Sequence, residues 1–318
     1  MSAASYAGIP LALLATTSYN VGLILEKRAL GRMPALDVRR VPRVIVSLLT
    51  SRAWLAGFAL MLTGLACQTV VLTFEPVSVV QPVLTSGVVL VLVLSRLMLR
   101  ERLSNGEAGC VAAIVLSVVL LALSASGPAG KVGHGASPGW MTAVMGVSVV
   151  AGLLIAGSSL RARTRKHAAP VTGVCFGIGT GLLYGAGSLA IKALSGIAAG
   201  HHTAAGIVTG VVLSPYLYTL AGSMAVAMLL FQVALQACRA SIVVPVSGMT
   251  GSVYFVIAGT WLFHEHLPAS PDKLALRLAG IALAALVLVL LSRQAPEEYP
   301  GRAAAGAAPS YLADVRRR

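Results

Sequence analysis

Long apolar runs recur along this chain, each near the length of a bilayer crossing, and that recurrence limits the fold more than any other feature. A helix rising 1.5 Å per residue needs roughly 20 apolar residues to cross about 30 Å of hydrocarbon. The runs fall at 6–25, 54–74, 77–99, 108–123, 140–160, 171–194, 216–238, 242–263 and 274–291. They do not alternate as barrel strands would. In lipid, helices are the open-ended segments that satisfy their own backbone groups. The expected fold is therefore all-α, a polytopic transmembrane helix bundle of nine spans. Only 11% of the residues are charged, against about a quarter in soluble domains.

Two stretches are less easily placed. Residues 37–52 carry Arg39, Arg40 and Arg43 beside a short apolar core. Arginines at the bilayer centre cost several kcal/mol, so this stretch reads as an interfacial helix; the alternative, in which it crosses, makes ten spans. Residues 204–213 are apolar but too short to cross, and read as the matching interfacial or re-entrant piece. With nine spans, 20 of the 24 Lys and Arg fall on one side, leaving Lys131, Lys192, Lys273 and Arg277 on the other. The excess of basic residues on the cytoplasmic side then places the N-terminus outside and the C-terminus in the cytoplasm of a plasma-membrane protein.

The chain also repeats itself. Tyr19-Asn20-Val21-Gly22 and Lys27 return as Tyr184-Gly185-Ala186-Gly187 and Lys192. Gln68 returns as Gln232, and Ser78, Val80 and Pro82 return as Ser241, Val243 and Pro245. Arg100-Glu101-Arg102-Leu103 corresponds to His264-Glu265-His266-Leu267. All offsets lie between 163 and 165, in one order. Five crossings separate the two copies, so the second enters from the opposite face, the inverted repeat of many secondary transporters. The expected organisation is a first membrane repeat at 1–125, a linker with the odd span at 126–168, an inverted second repeat at 169–292, and a disordered cytoplasmic tail at 293–318.

The run Met61-Leu62-Thr63-Gly64, Gln68, Phe74, Pro76, Ser78, Val80 and Pro82, closed by Arg100-Glu101-Arg102-Leu103, resembles the drug/metabolite transporter superfamily. Gln232, Leu235, Ser241, Val243, Pro245 and Phe263-His264-Glu265 fit the same pattern in the second half. Within the superfamily the chain resembles the NIPA-type magnesium transporters more than the ten-span EamA branch. That resemblance implies transport of a small solute or cation by alternating access, with magnesium as the specific cargo. The chain departs from the NIPA pattern at Leu65, where the family has a glutamate, and at Gln68 and Gln232, where it has asparagines. The first change removes a carboxylate oxygen of the kind a hard divalent cation favours.

Polar groups inside membrane helices either carry function or hold helices together. Gln68 and Gln232 occupy equivalent places in the repeats, where an amide can bind solute or bond a neighbouring helix. Tyr19 and Asn20, with Thr16, mark the first span, and Tyr184 and Ser188 lie on a stripe with Thr180 and Lys192 on the sixth. These six residues, Tyr19, Asn20, Gln68, Tyr184, Ser188 and Gln232, are the expected substrate contacts, with packing and snorkelling lysines as the competing account. Pro82 and Pro245 are expected hinges or tolerated first-turn prolines. Glu26, Glu75, Glu101 and Glu265 all read as span-end residues, so no acid is expected deep in a span, although Glu26 could face a vestibule. Gly177, Gly181 and Gly185 read as a close-packing ridge. No metal cluster, cofactor or catalytic constellation is visible, and no nucleic-acid surface: His264-Glu265-His266 lacks metal spacing, and the four cysteines stand singly. The chain reads as a transporter and not an enzyme, with a small molecule or ion, membrane lipid and a homodimer as the partners to look for. A membrane interaction protein without transport is the reading from another class.

Overall fold

The structure is a computed structural model of the 318-residue chain. It describes residues 3–34, 36, 40–74, 77–99, 105–124, 138–164, 172–200, 203–262 and 270–293. The elements are α1 (Ala3–Leu30), α2 (Val41–Thr50), α3 (Arg52–Phe74), α4 (Val77–Met98), α5 (Asn105–Ser124) and α6 (Pro138–Thr164). After them come α7 (Thr172–Ala199), α8 (Ala204–Val212), α9 (Pro215–Ala237), α10 (Ala240–Leu262) and α11 (Pro271–Arg293). Every described element is helical, as the apolar runs predict.

Five of these helices, at 139–158, 172–197, 215–237, 240–262 and 271–291, are long and apolar enough to cross a membrane. A sixth candidate joins α2 to residues 52–68 through an 86° bend. The expectation of nine spans therefore stands at five or six among the described residues. The short stretches are short helices. Residues 41–50 form a ten-residue helix that buries Val44 and Leu48, one turn apart, and exposes Ile45, Val46 and Leu49. Residues 204–212 form nine helical residues opened by the Thr203 side chain, which accepts from the Gly206 N–H. Ser214 caps α9 in the same way, and Pro215 occupies its first turn, where a missing N–H costs nothing.

Small residues let the helices meet backbone to backbone. A Cβ on Gly22 would lie 2.6 Å from the Gly57 carbonyl oxygen, and one on Gly64 would lie 2.5 Å from the Tyr19 nitrogen. α1 and α3 therefore run antiparallel in direct contact. On α7, Gly177, Gly181 and Gly185 face Val246, Ser247 with Thr250, and Tyr254 in turn, so α7 and α10 run parallel. This is the ridge expected from the small-residue spacing. Tyr184 meets Phe231 edge-on with ring centroids 6.0 Å apart, and Gly187 faces Met224, so α7 and α9 are antiparallel.

The contacts recur at the sequence offset. Gly87 of α4 faces Thr16 and Asn20 of α1, while Gly251 of α10 faces Gly181 and Gly185 of α7. Ser117 of α5 donates to the Gly280 carbonyl of α11 at 2.8 Å, joining the last helices of the two halves. Met141 and Met145 of α6, Leu189 and Ala193 of α7, Tyr216 of α9 and Leu262 of α10 share one apolar cluster at one end of the bundle. Lys192 lies at that end, over the Phe255 ring. Lys27 lies at the other, where its ammonium donates to the Leu235 and Cys238 carbonyls.

Candidate functional site

α1 runs through Leu30, about a turn past the apolar run that ends at Leu25, and this extension corrects the expectation for Glu26. The last turn of α1 packs against α3 and α9 through Leu23, Ile24 and Leu30, all buried among α9 side chains and Trp54. Glu26 follows the same helical face inward and is 0% exposed. A buried acid is thus present that the span-end reading of this residue excluded.

Its partner is one of the predicted residues. Gln232 of α9, also 0% exposed, donates its amide to Glu26 Oε2 at 2.6 Å. Its own carbonyl accepts the indole N–H of Trp54 at 3.1 Å. An indole can only donate, so it fixes the amide orientation and aims the NH₂ group at the carboxylate. Trp54 is held in turn by stacking on Phe58, centroids 4.9 Å apart and planes 12° from parallel. The result is a buried polar relay from α3 through α9 to α1, crossing between the halves of the sequence. Glu26 Oε1 has no hydrogen-bond partner among the described residues. Buried polar atoms are ordinarily satisfied, so this one is an acceptor held in reserve.

Beside the relay, the C-termini of α1 and α9 cap one another. Lys27 holds the last carbonyls of α9. The Gln236 amide donates to the carbonyls of Leu30 and Pro34, each at 3.0 Å, and accepts from the Leu36 N–H at 2.7 Å. The last four carbonyls of a helix lack intrahelical partners; here each helix supplies a side chain to the other.

The remaining predicted residues divide. Tyr19 and Tyr184 pack against the same apolar cluster as Trp54 and lie within electrostatic range of Glu26. Asn20 is buried one turn above Thr16, donating to the Thr16 carbonyl at 2.6 Å and to its hydroxyl at 3.3 Å. Ser188 donates to the Tyr184 carbonyl of its own helix at 3.0 Å. Thr180 donates into its own helix and meets the Ser247 hydroxyl at 3.2 Å. For these two the packing account describes what the hydroxyls do. Gln68 is half-buried on α3 and does not join the relay with Gln232. Pro245 is buried in the second turn of α10. Pro82 lies in α4, its side chain outside the described residues, as are Glu75, Glu101 and residues 264–266. Among the described residues no group of three His, Cys, Asp or Glu side chains could hold a metal, and none of the four cysteines is in a disulfide.

Glu26, Trp54 and Gln236 were missed as site residues. The four-residue spacing of Gln232 and Gln236 puts both amides on one helical face, and that was the signal available for a polar partner across from α9. The relay also breaks the repeat. At the equivalent positions in the second half stand Ile191, 50% exposed, and Tyr218, 64% exposed.

Similarity to one known family runs along nearly the whole chain. The sequence pattern of the NIPA magnesium transporters matches residues 3–296. Over 117 residues the chain is 32% identical to magnesium transporter NIPA4 of Homo sapiens, which covers 36% of this chain and 29% of that protein. It is 32% identical over 93 residues to the probable magnesium transporter NIPA9 of Arabidopsis thaliana, covering 29% of this chain and 26% of the relative. A third match, 31% over 115 residues, is to probable magnesium transporter NIPA6 of the same plant, covering 36% and 35%. The chain thus spans no more than about a third of the curated relatives it matches. No solved structure matches. The match that runs nearly end to end, over an all-helical bundle with five or six apolar crossings, places the chain: it belongs to the NIPA magnesium transporter family.

Proposed function

We propose that this protein carries magnesium across a membrane by alternating access, using the relay of Glu26, Gln232 and Trp54 between its halves. The observation that carries the reading is the buried Glu26 carboxylate, one oxygen bonded to Gln232 and the other unpartnered. Magnesium binds oxygen, keeps several of its waters, and is commonly held through one or two carboxylates. Glu26 supplies the charge that Leu65 lacks, and Gln232 sets the carboxylate's orientation. A hydrated ion would meet Glu26 Oε1 first, with the phenols of Tyr19 and Tyr184 close by.

Alternating access needs two near-equivalent halves. Recurrence of the Gly87 and Gly251 contacts at the sequence offset supports duplication. Lys27 and Lys192, at opposite ends of the bundle, support inversion of the second copy. On that reading residues 1–125 and 169–292 are the moving halves, Pro82 and Pro245 are the points where α4 and α10 flex, and 293–318 is a cytoplasmic tail. The side bearing the α1 and α9 C-termini then faces the cytoplasm and is closed by their mutual caps, with the N-terminus outside the plasma membrane.

Magnesium entry into proteoliposomes, read with an internal magnesium-sensitive dye, tests this. Wild-type protein is expected to admit magnesium. Glu26→Gln, which keeps size and hydrogen bonding, should reduce the flux at least tenfold while the protein remains monodisperse. A Glu26→Gln flux equal to wild type would remove the relay from the path, and a wild-type protein indifferent to magnesium would remove the cargo.

A further inference from the structure

The geometry points to a binding site for an anionic phospholipid headgroup in the groove between the C-terminal end of α1 and the start of α3. The groove encloses about 340 Å³ and is lined by Leu25, Arg28 and Ala29 of α1, by Arg32 just beyond it, and by Ala53 and Ala56 of α3. Its floor is small and apolar, suited to glycerol and the first methylenes of an acyl chain. Its rim is cationic. Arg28, in the last turn of α1, and Arg32, in the turn that follows it, are both exposed and both line the groove. Arg52, also exposed, directly precedes Ala53. A guanidinium presents a planar fork that matches phosphate oxygens in pairs, and two such forks on one groove can share one phosphate.

Position favours lipid over a soluble anion. The groove lies where α1 ends, which is the level of the headgroups when α1 crosses as its apolar run predicts. α2 leaves α3 at 86°, so it lies near the membrane plane when α3 crosses. The exposed Ile45, Val46 and Leu49 of α2 provide the apolar face that interfacial helices sink into the acyl boundary. Arg40 and Arg43, at its N-terminal end, are exposed. Basic groups at a membrane surface attract anionic lipid. The nearest described carboxylate in sequence, Glu26, is turned inward onto Gln232. None of the residues lining the groove is an acid that would oppose an anion. The site stands apart from the transport reading.

The test uses full-length protein in mixed phosphatidylglycerol and phosphatidylcholine micelles, with retained lipid counted by native mass spectrometry. Wild-type protein is expected to retain phosphatidylglycerol preferentially. Arg28→Gln with Arg32→Gln should weaken that retention about tenfold or more, while Arg163→Gln with Arg165→Gln, on the same basic side of the sequence, leaves it unchanged. Ala56→Phe fills the groove without touching charge and should also displace the lipid; Ala56 is exposed, so the larger ring is tolerated. Equal retention by the Arg28/Arg32 pair and wild type, or by Ala56→Phe and wild type, overturns the proposal. So does full displacement by inorganic phosphate in excess, which would assign the groove to a free anion.

Discussion

Replacing Gln232 with leucine isolates the physics of the relay. The two side chains are similar in size, so packing changes little. What changes is that the Trp54 indole N–H and Glu26 Oε2 both lose their partner, while Glu26 Oε1 already has none. Trp54 is 4% exposed and Glu26 0%, so water cannot easily replace the amide. A buried group left unsatisfied costs about 1–3 kcal/mol, and more when charged. Interhelical hydrogen bonds in membranes average only about 0.6 kcal/mol, because the unfolded helices also find partners. For two groups, these limits put the loss at about 1–6 kcal/mol. At ~2 °C per kcal/mol this is a fall of roughly 2 to 12 °C in the melting temperature of detergent-purified protein. The double variant Glu26→Leu with Gln232→Leu removes the orphaned carboxylate along with the amide, so it should be more stable than Gln232→Leu alone. That non-additivity, about 1–3 kcal/mol of coupling, is what neighbouring groups in one network display. A Gln232→Leu protein melting within 1 °C of wild type, or a double variant whose loss is the sum of the single ones, would refute the relay.

Other expectations follow from the packing. Gly64→Leu forces a side chain into the α1 backbone and should cost about 3 kcal/mol or more in thermal stability. Gly146→Ala, which meets open space, should be neutral or stabilise by about 0.5–1 kcal/mol. Lys27→Met leaves the Leu235 and Cys238 carbonyls without their ammonium, so deuterium exchange over 233–243 should speed several-fold while exchange in α11 stays constant. Gln236→Leu should loosen the same end from the α1 side, with faster exchange at Leu36, whose N–H it now holds.

Much of the scaffold was legible in sequence because it rests on period and length. Over their described residues the nine apolar runs fall on helices, and the two short stretches at 37–52 and 204–213 contain the short helices α2 and α8. The glycine ridge on α7 was legible because small-residue spacing has one strong use in lipid. Glu26 was not. Read by proximity to Lys27 and Arg28 it belongs at a membrane edge; its burial depends on α1 extending past its apolar run and on α9 placing Gln232 opposite, a tertiary choice. Gln68 and Gln232 are equivalent in sequence, yet only Gln232 faces a carboxylate and an indole. A matched sequence position does not bring matched neighbours, and the neighbours that decide chemistry come from elsewhere in the chain.

The lopsidedness of the relay has a kinetic reach. Ile191 and Tyr218, exposed where Glu26 and Trp54 would have twins, leave Glu26 as the one buried carboxylate among the described residues. A carrier working through it would load from its two faces with unequal half-saturation, since an ion arriving from the far side must travel most of the membrane before meeting its counter-charge. Detailed balance forbids such a protein from pumping without a coupled gradient. It permits efflux and influx to saturate at very different concentrations, which is how an unpowered conduit can be quick in one direction and sluggish in the other.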